Sequence, residues 1–158
     1  MTDTPTGQPT SSRPDPLQRS DFALFRPLPT RWMDVDIYGH VNNVVYLSFF
    51  DSAVNGWYVD KGLIDPQAGR EIFLVVETGC HYFRELRFPE TVEAGIRATR
   101  VGRSSVSYEI ALFGTGDTEA RAQGRFVHVL VDRSTRRPVP IVGERRDALQ
   151  GILVHRQD

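Results

Sequence analysis

Between Val44 and Lys61, apolar residues recur at three- and four-residue spacing with almost no polar face to separate them. Val44, Val45, Leu47, Phe49, Phe50, Ala53, Val54, Trp57 and Tyr58 carry the pattern, interrupted by Ser48, Asp51, Ser52 and Asn55. This spacing predicts a helix, and a helix apolar nearly all round has to be covered on most of its sides. At about 1.5 Å per residue it makes a rod of about 27 Å. Asn42 or Asn43 is suited to cap its start, and Gly62 to take the left-handed position that ends it.

The rest of the chain reads as strands that supply the cover. Leu24–Met33 is extended in character, and Pro27 and Pro29 keep it at a sheet edge. Glu71–Phe88 is long and rich in Ile, Phe, Val and Tyr, and Pro89-Glu90 ends it. Thr91–Val101 alternates, with Val92, Ala94, Ile96 and Ala98 on one face. Gly102-Arg103 turns into Ser104–Phe113, Gly114–Asp117 is a hairpin turn, and Glu119–Asp132 is the last long strand. A Pro-rich exit leads to a short C-terminal helix around Glu144–Leu153. Strands joined by tight turns pair antiparallel. The expected fold is therefore α+β: a five-stranded antiparallel sheet curved around one long helix, plus a short C-terminal helix. Its two edge strands stay open, which favours a homodimer or homotetramer formed edge to edge.

Composition sets outer limits. The length of 158 residues suits one domain, with residues 1–21 a polar, disordered leader and 22–158 the folded part. A net charge of −1 gives no electrostatic case for nucleic acid or an anionic membrane. The chain lacks a run of about 20 apolar residues that would span a bilayer. One cysteine, Cys80, and an N-terminus without a signal pattern point to the cytoplasm. His81, His128 and His155 lack metal-ligand spacing, so neither metal nor cofactor is expected.

The link between first strand and helix carries the chemistry. Arg31, Asp34, Asp36, Gly39, His40, Asn42 and Asn43 lie within a short span. A helix start offers free N–H groups and the positive end of a dipole, where an oxyanion is stabilised. A carboxylate just upstream can act as nucleophile or as base for a water. Acyl transfer has its ingredients here.

Arg31-x-x-Asp34-x-Asp36-x-x-Gly39-His40-Val41-Asn42-Asn43-x-x-Tyr46 resembles the signature of the 4-hydroxybenzoyl-CoA thioesterase-like group of hotdog proteins. It is similar also to that of long-chain acyl-CoA and plant acyl-carrier-protein thioesterases. Gly102–Tyr108, Phe126–Asp132 and Arg137–Pro140 extend the likeness over roughly residues 25–153. The resemblance implies hydrolysis of an acyl-CoA or acyl-carrier-protein thioester by a hotdog fold. It implies Asp36 as the catalytic carboxylate and the Asn43 N–H as oxyanion donor. Gly39, His40, Val41, Asn42, the Asn43 side chain and Tyr46 would shape the site. One departure is Tyr38, where the plant enzymes carry an asparagine.

Plainer roles compete for some of these residues. Asp34 reads as structural, paired with Arg31; Asn42 and Asn43 serve as caps in any case. His40 is either a site residue or a hydrogen-bonder at the helix entry, and Tyr46 core or pocket wall. Asp51 reads as a structural hydrogen-bonder, Cys80 as a small buried hydrophobe facing away from His81. Arg136, Arg137, Arg145 and Arg146 read as solvated charges. Two rival functions remain: a hotdog enoyl-thioester hydratase, whose Asp-x-Asn-Pro-x-His phrase is absent, and a non-catalytic acyl-CoA-binding protein.

Overall fold

A computed structural model describes residues 12–155. Its elements are β1 (Leu24–Pro29), α1 (Asn43–Asp60), β2 (Glu71–Tyr82), β3 (Thr91–Val101), β4 (Ser105–Phe113), β5 (Ala122–Asp132) and α2 (Gly143–Gly151). All neighbouring strands are antiparallel, in the order β1-β3-β4-β5-β2. The strands before and after α1 thus form the two opposite edges of one sheet. The helix has to cross from one edge to the other, and it does so over the sheet's inner face. This is the hotdog arrangement.

The inner face is the alternating set read from the sequence. Val92, Ala94, Ile96 and Ala98 of β3, and Val106, Tyr108, Ile110 and Leu112 of β4, are buried against α1. The helix meets them with Tyr46, Phe49, Phe50, Ala53, Val54, Trp57 and Tyr58, a stripe at helical spacing. Gly124 of β5 lets it lie close, since a Cβ there would strike the Phe50 ring. Asn42 caps the helix by accepting the Val44 N–H at 3.2 Å, and Gly62 ends it at φ +65°.

In three places the structure departs from the sequence reading. Within one chain α1 is buried on one face only; Val44 and Val59 are exposed on the other. Asp51 is exposed as well, accepting from the Asn55 amide at 3.0 Å. The strand expected over Glu71–Phe88 stops at Tyr82, because Phe83 and Arg84 both donate their N–H to Arg121 O, at 2.8 and 3.0 Å. Residues 83–90 fold instead into a loop beside the start of α1. Arg145 and Arg146 are staples, not solvated charges. Arg145 binds Leu63 O at 2.8 Å and Glu71, while Arg146 binds Ile141 O at 2.8 Å and Gly102 O at 2.6 Å.

Part of the polar N-terminal stretch is seated on the sheet. Leu17 N–H donates to Gln123 Oε1 at 2.6 Å, and Ala120 N–H donates back to Leu17 O at 2.9 Å. Arg13 lies 4.5 Å over the Phe83 ring. Residues 1–11 of the expected leader lie outside the described residues.

Candidate active site

The link between β1 and α1 is a small antiparallel ribbon. Asn42 N–H donates to Asp34 O at 2.8 Å, and Asp36 N–H donates to His40 O at 2.8 Å. Between these rungs Val35 faces Val41. The ribbon turns at Ile37-Tyr38-Gly39, where Gly39 takes φ +80°, a conformation that costs other residues more. Asp36 Oδ1 closes the turn by accepting the N–H of Tyr38 at 2.8 Å and of His40 at 3.3 Å. The carboxylate's orientation is thereby set. Its Oδ2 makes no hydrogen bond among the described residues.

Asp34 anchors the base of the ribbon. It is 1% exposed and pairs with Arg31 Nη2 at 2.8 Å while accepting the Arg31 N–H at 2.7 Å. Burial works against its charged form, but the paired guanidinium and the backbone donor outweigh it and hold the carboxyl below the ordinary carboxylate range. That is the structural role read from the sequence.

Asp36, His40, Val41, Asn43 and Tyr46 line one cleft of about 280 Å³, joined by Tyr82, Phe83, Arg84 and Glu85. The signature therefore converges, with two exceptions. Gly39 faces a second hollow with Trp32, Val35, Ile37 and Phe88, which Asp36 also borders, and its part is to make the turn. Asn42 lies outside the cleft and serves as the cap. A larger cavity, about 420 Å³ beside Pro14, His81 and Gln123, holds none of the signature residues.

At the helix start the N–H groups of Val44 and Val45 go to Asn42, through its side chain and its carbonyl. The Asn43 N–H has no acceptor among the described residues, and Asn43 lines the cleft. A donor at a helix N-terminus, beside a fixed carboxylate, suits an oxyanion.

The remaining groups limit the chemistry. Tyr46 is both core and wall: it is 4% exposed, and its hydroxyl accepts the Leu86 N–H at 3.1 Å. Tyr82 OH donates to Asn43 O at 3.1 Å and stands edge-on to Tyr46 at 4.9 Å. Burial raises both phenols, Tyr82 to about 12, so they stay protonated at neutral pH. Burial also pushes the Cys80 thiol up to about 11, which denies it a nucleophile's role. Asp36, His40 and Glu85 are the other titratable side chains of the cleft able to take up a proton.

Glu85 escaped the sequence reading. Its Oε2 lies 3.0 Å from His40 Nε2. In Phe83-Arg-Glu-Leu-Arg-Phe88 it occupies a mixed charged and apolar run that reads as strand, and no local signal marks its return to the helix start. Among the described residues no group of His, Cys, Asp and Glu is placed to hold a metal, and no helix is long and apolar enough to cross a membrane.

An antiparallel sheet curved round one helix, with an acidic turn at the helix start, defines the class of hotdog thioesterases. The chain belongs to the thioesterase-like superfamily, whose sequence profile matches residues 30–149. It is similar to the PA5185 protein of Pseudomonas aeruginosa strain PAO1, at 51% identity and a TM-score of 0.87 over 91% of this chain and 100% of that one. It is similar to the PA2801 protein of Pseudomonas aeruginosa, at 30% identity and a TM-score of 0.74 over 79% and 96%. A thioesterase from Thermus thermophilus, solved in complex with coenzyme A and Zn, is 29% identical with a TM-score of 0.65 over 82% and 98%.

Proposed function

We propose that the protein hydrolyses acyl-CoA-type thioesters in the cleft over the N-terminus of α1. One observation carries this reading: the oriented Asp36 carboxylate and the acceptor-free Asn43 N–H line the same cleft. The thioester carbonyl oxygen accepts the Asn43 N–H, where the helix dipole favours the charge that develops on it. Asp36 then either attacks the carbonyl carbon or takes a proton from an attacking water. On the base route the C–S bond breaks as Asp36 passes the water's proton to the departing thiolate. On the nucleophile route the thiolate leaves and takes a proton from solvent, and water opens the acyl-aspartyl anhydride. Either way the free acid is released. The coenzyme A bound by the Thermus thermophilus thioesterase supports CoA as the carrier.

The active unit in this reading is a homodimer joined along β2. This strand is an open edge, with Val75 and Val76 exposed beside a register shift between Val75 and Glu77. A second copy adding antiparallel to it satisfies the free backbone groups and covers these side chains.

The test is Asp36→Asn, assayed by free-thiol release over short, medium, long and aromatic acyl-CoAs. Turnover is expected to fall by about three orders of magnitude, while acyl-CoA binding and the oligomer persist. Near wild-type rates across the panel would falsify the assignment. Solvent oxygen trapped in Asp36 during a single turnover separates nucleophile from base.

A further inference from the structure

Glu85 lines the cleft with Asp36, and the mechanism above leaves it without a task. Its Oε2 lies 3.0 Å from His40 Nε2 and 3.2 Å from the Arg87 guanidinium. Its backbone is clamped. Arg121 Nη1 donates to Glu85 O at 3.1 Å, and the neighbouring Leu86 accepts the Val41 N–H at 2.9 Å and donates to Tyr46 OH at 3.1 Å. The carboxylate is therefore presented from a loop bonded on both sides, to a histidine on a different segment.

That histidine holds Asp36 by its main chain. The His40 N–H donates to Asp36 Oδ1 at 3.3 Å, and the His40 carbonyl accepts the Asp36 N–H at 2.8 Å. Anything that turns residue 40 moves a donor away from the carboxylate. Glu85 is the carboxylate that faces the His40 ring among the described residues, with Oε2 within ion-pair distance of Nε2. An ionised carboxylate can only accept, so a hydrogen bond across this distance needs the ring proton on Nε2.

We propose that Glu85 is a positioning residue: it fixes the His40 imidazole with the proton on Nε2 and, through the His40 backbone, keeps the Asp36 carboxylate aimed for attack. The effect on turnover rests on the hydrolase reading above; the effect on the His40 ring does not.

The experiment compares Glu85→Ala and Glu85→Gln with the wild type by ¹⁵N NMR of the histidine ring nitrogens. The His40 signal is assigned by its loss in His40→Asn. Wild-type His40 is expected in the Nε2–H form. Glu85→Ala should shift it toward a mixture of tautomers, while Glu85→Gln keeps it, because the amide oxygen still accepts. On the thioester that the wild type turns over, Glu85→Ala should lower kcat about 10- to 100-fold, as loss of an orienting carboxylate does. KM should stay within about twofold, and Glu85→Gln should recover most of the rate. An unchanged His40 tautomer in Glu85→Ala overturns the proposal, as does a Glu85→Gln variant as impaired as Glu85→Ala. If the wild type hydrolyses no thioester, the hydrolase reading falls, and the tautomer measurement still decides the Glu85 assignment.

Discussion

Two buried polar side chains mark how differently single residues are accommodated. Asp34 has a guanidinium and a backbone N–H for its carboxylate. His128, 1% exposed, has hydrogen-bond partners at neither ring nitrogen among the described residues. It lies among aromatic rings instead, stacked on Phe73 at 5.5 Å and beside Phe126 at 4.8 Å and Tyr108 at 5.6 Å. The buried hydroxyls of Tyr58 and Tyr108 bond to each other. Burial lowers His128 from 6.5 to about 4. Its neutral form is the one folded, so the unfolded chain takes up a proton first as the solution is acidified. Stability is full above pH 6.5 and is lost as the pH falls toward 4, by up to about 3 kcal/mol. His128→Phe is expected to flatten this part of the stability curve, read as Tm against pH. Parallel curves for the two proteins would refute it. The Asp34 contribution is present above the ordinary carboxylate range and is lost as the pH falls through that range toward its lowered folded value, so it follows the loss from His128.

At the scale of elements, the start of α1 is where capping and proposed chemistry divide the same few donors. Asn42 takes the N–H groups of Val44 and Val45 and leaves that of Asn43. A proline at the first helical position is tolerated, because its missing N–H had no helical partner. Asn42 is already extended, at φ −59° and ψ 137°, as a residue before proline has to be. Asn43→Pro thus deletes the proposed oxyanion donor with little strain. It is expected to keep Tm within a few degrees while lowering kcat about 100-fold, the effect of losing one oxyanion donor. Unchanged kcat would assign the carbonyl to other donors.

For the whole molecule the proposed dimer rests on the open edge of β2. Trp32, Met33, Ile37 and Tyr38 near the site are exposed too, a concentration of large apolar side chains that a lone chain rarely shows to water. Val76 is 60% exposed at the irregularity of β2. A lysine there puts charge on the strand edge that the proposed dimer would bury. On the proposed reading, Val76→Lys is expected to leave 17.9 kDa monomers in sedimentation velocity and to lose the proposed thioester turnover. A variant that stays dimeric and active places the interface elsewhere.

The helix, the strand alternation and the acidic turn were legible in the residues themselves, because each rests on local spacing. Apolar period decides helix or strand, and carboxylate, glycine and amide at short separation decide the turn and cap. The signature from Arg31 to Tyr46 likewise named the family and most of the cleft wall. Tertiary structure decided what comes to that wall from a distance. Pairing β2 with β5, not with β3, sends residues 83–90 back across the start of α1, bringing Tyr82 and Glu85 to Asp36 and His40. It also turned Arg145 and Arg146 into staples, by setting carbonyls of remote loops within their reach. Such contacts join segments far apart in the chain, where periodicity carries no information.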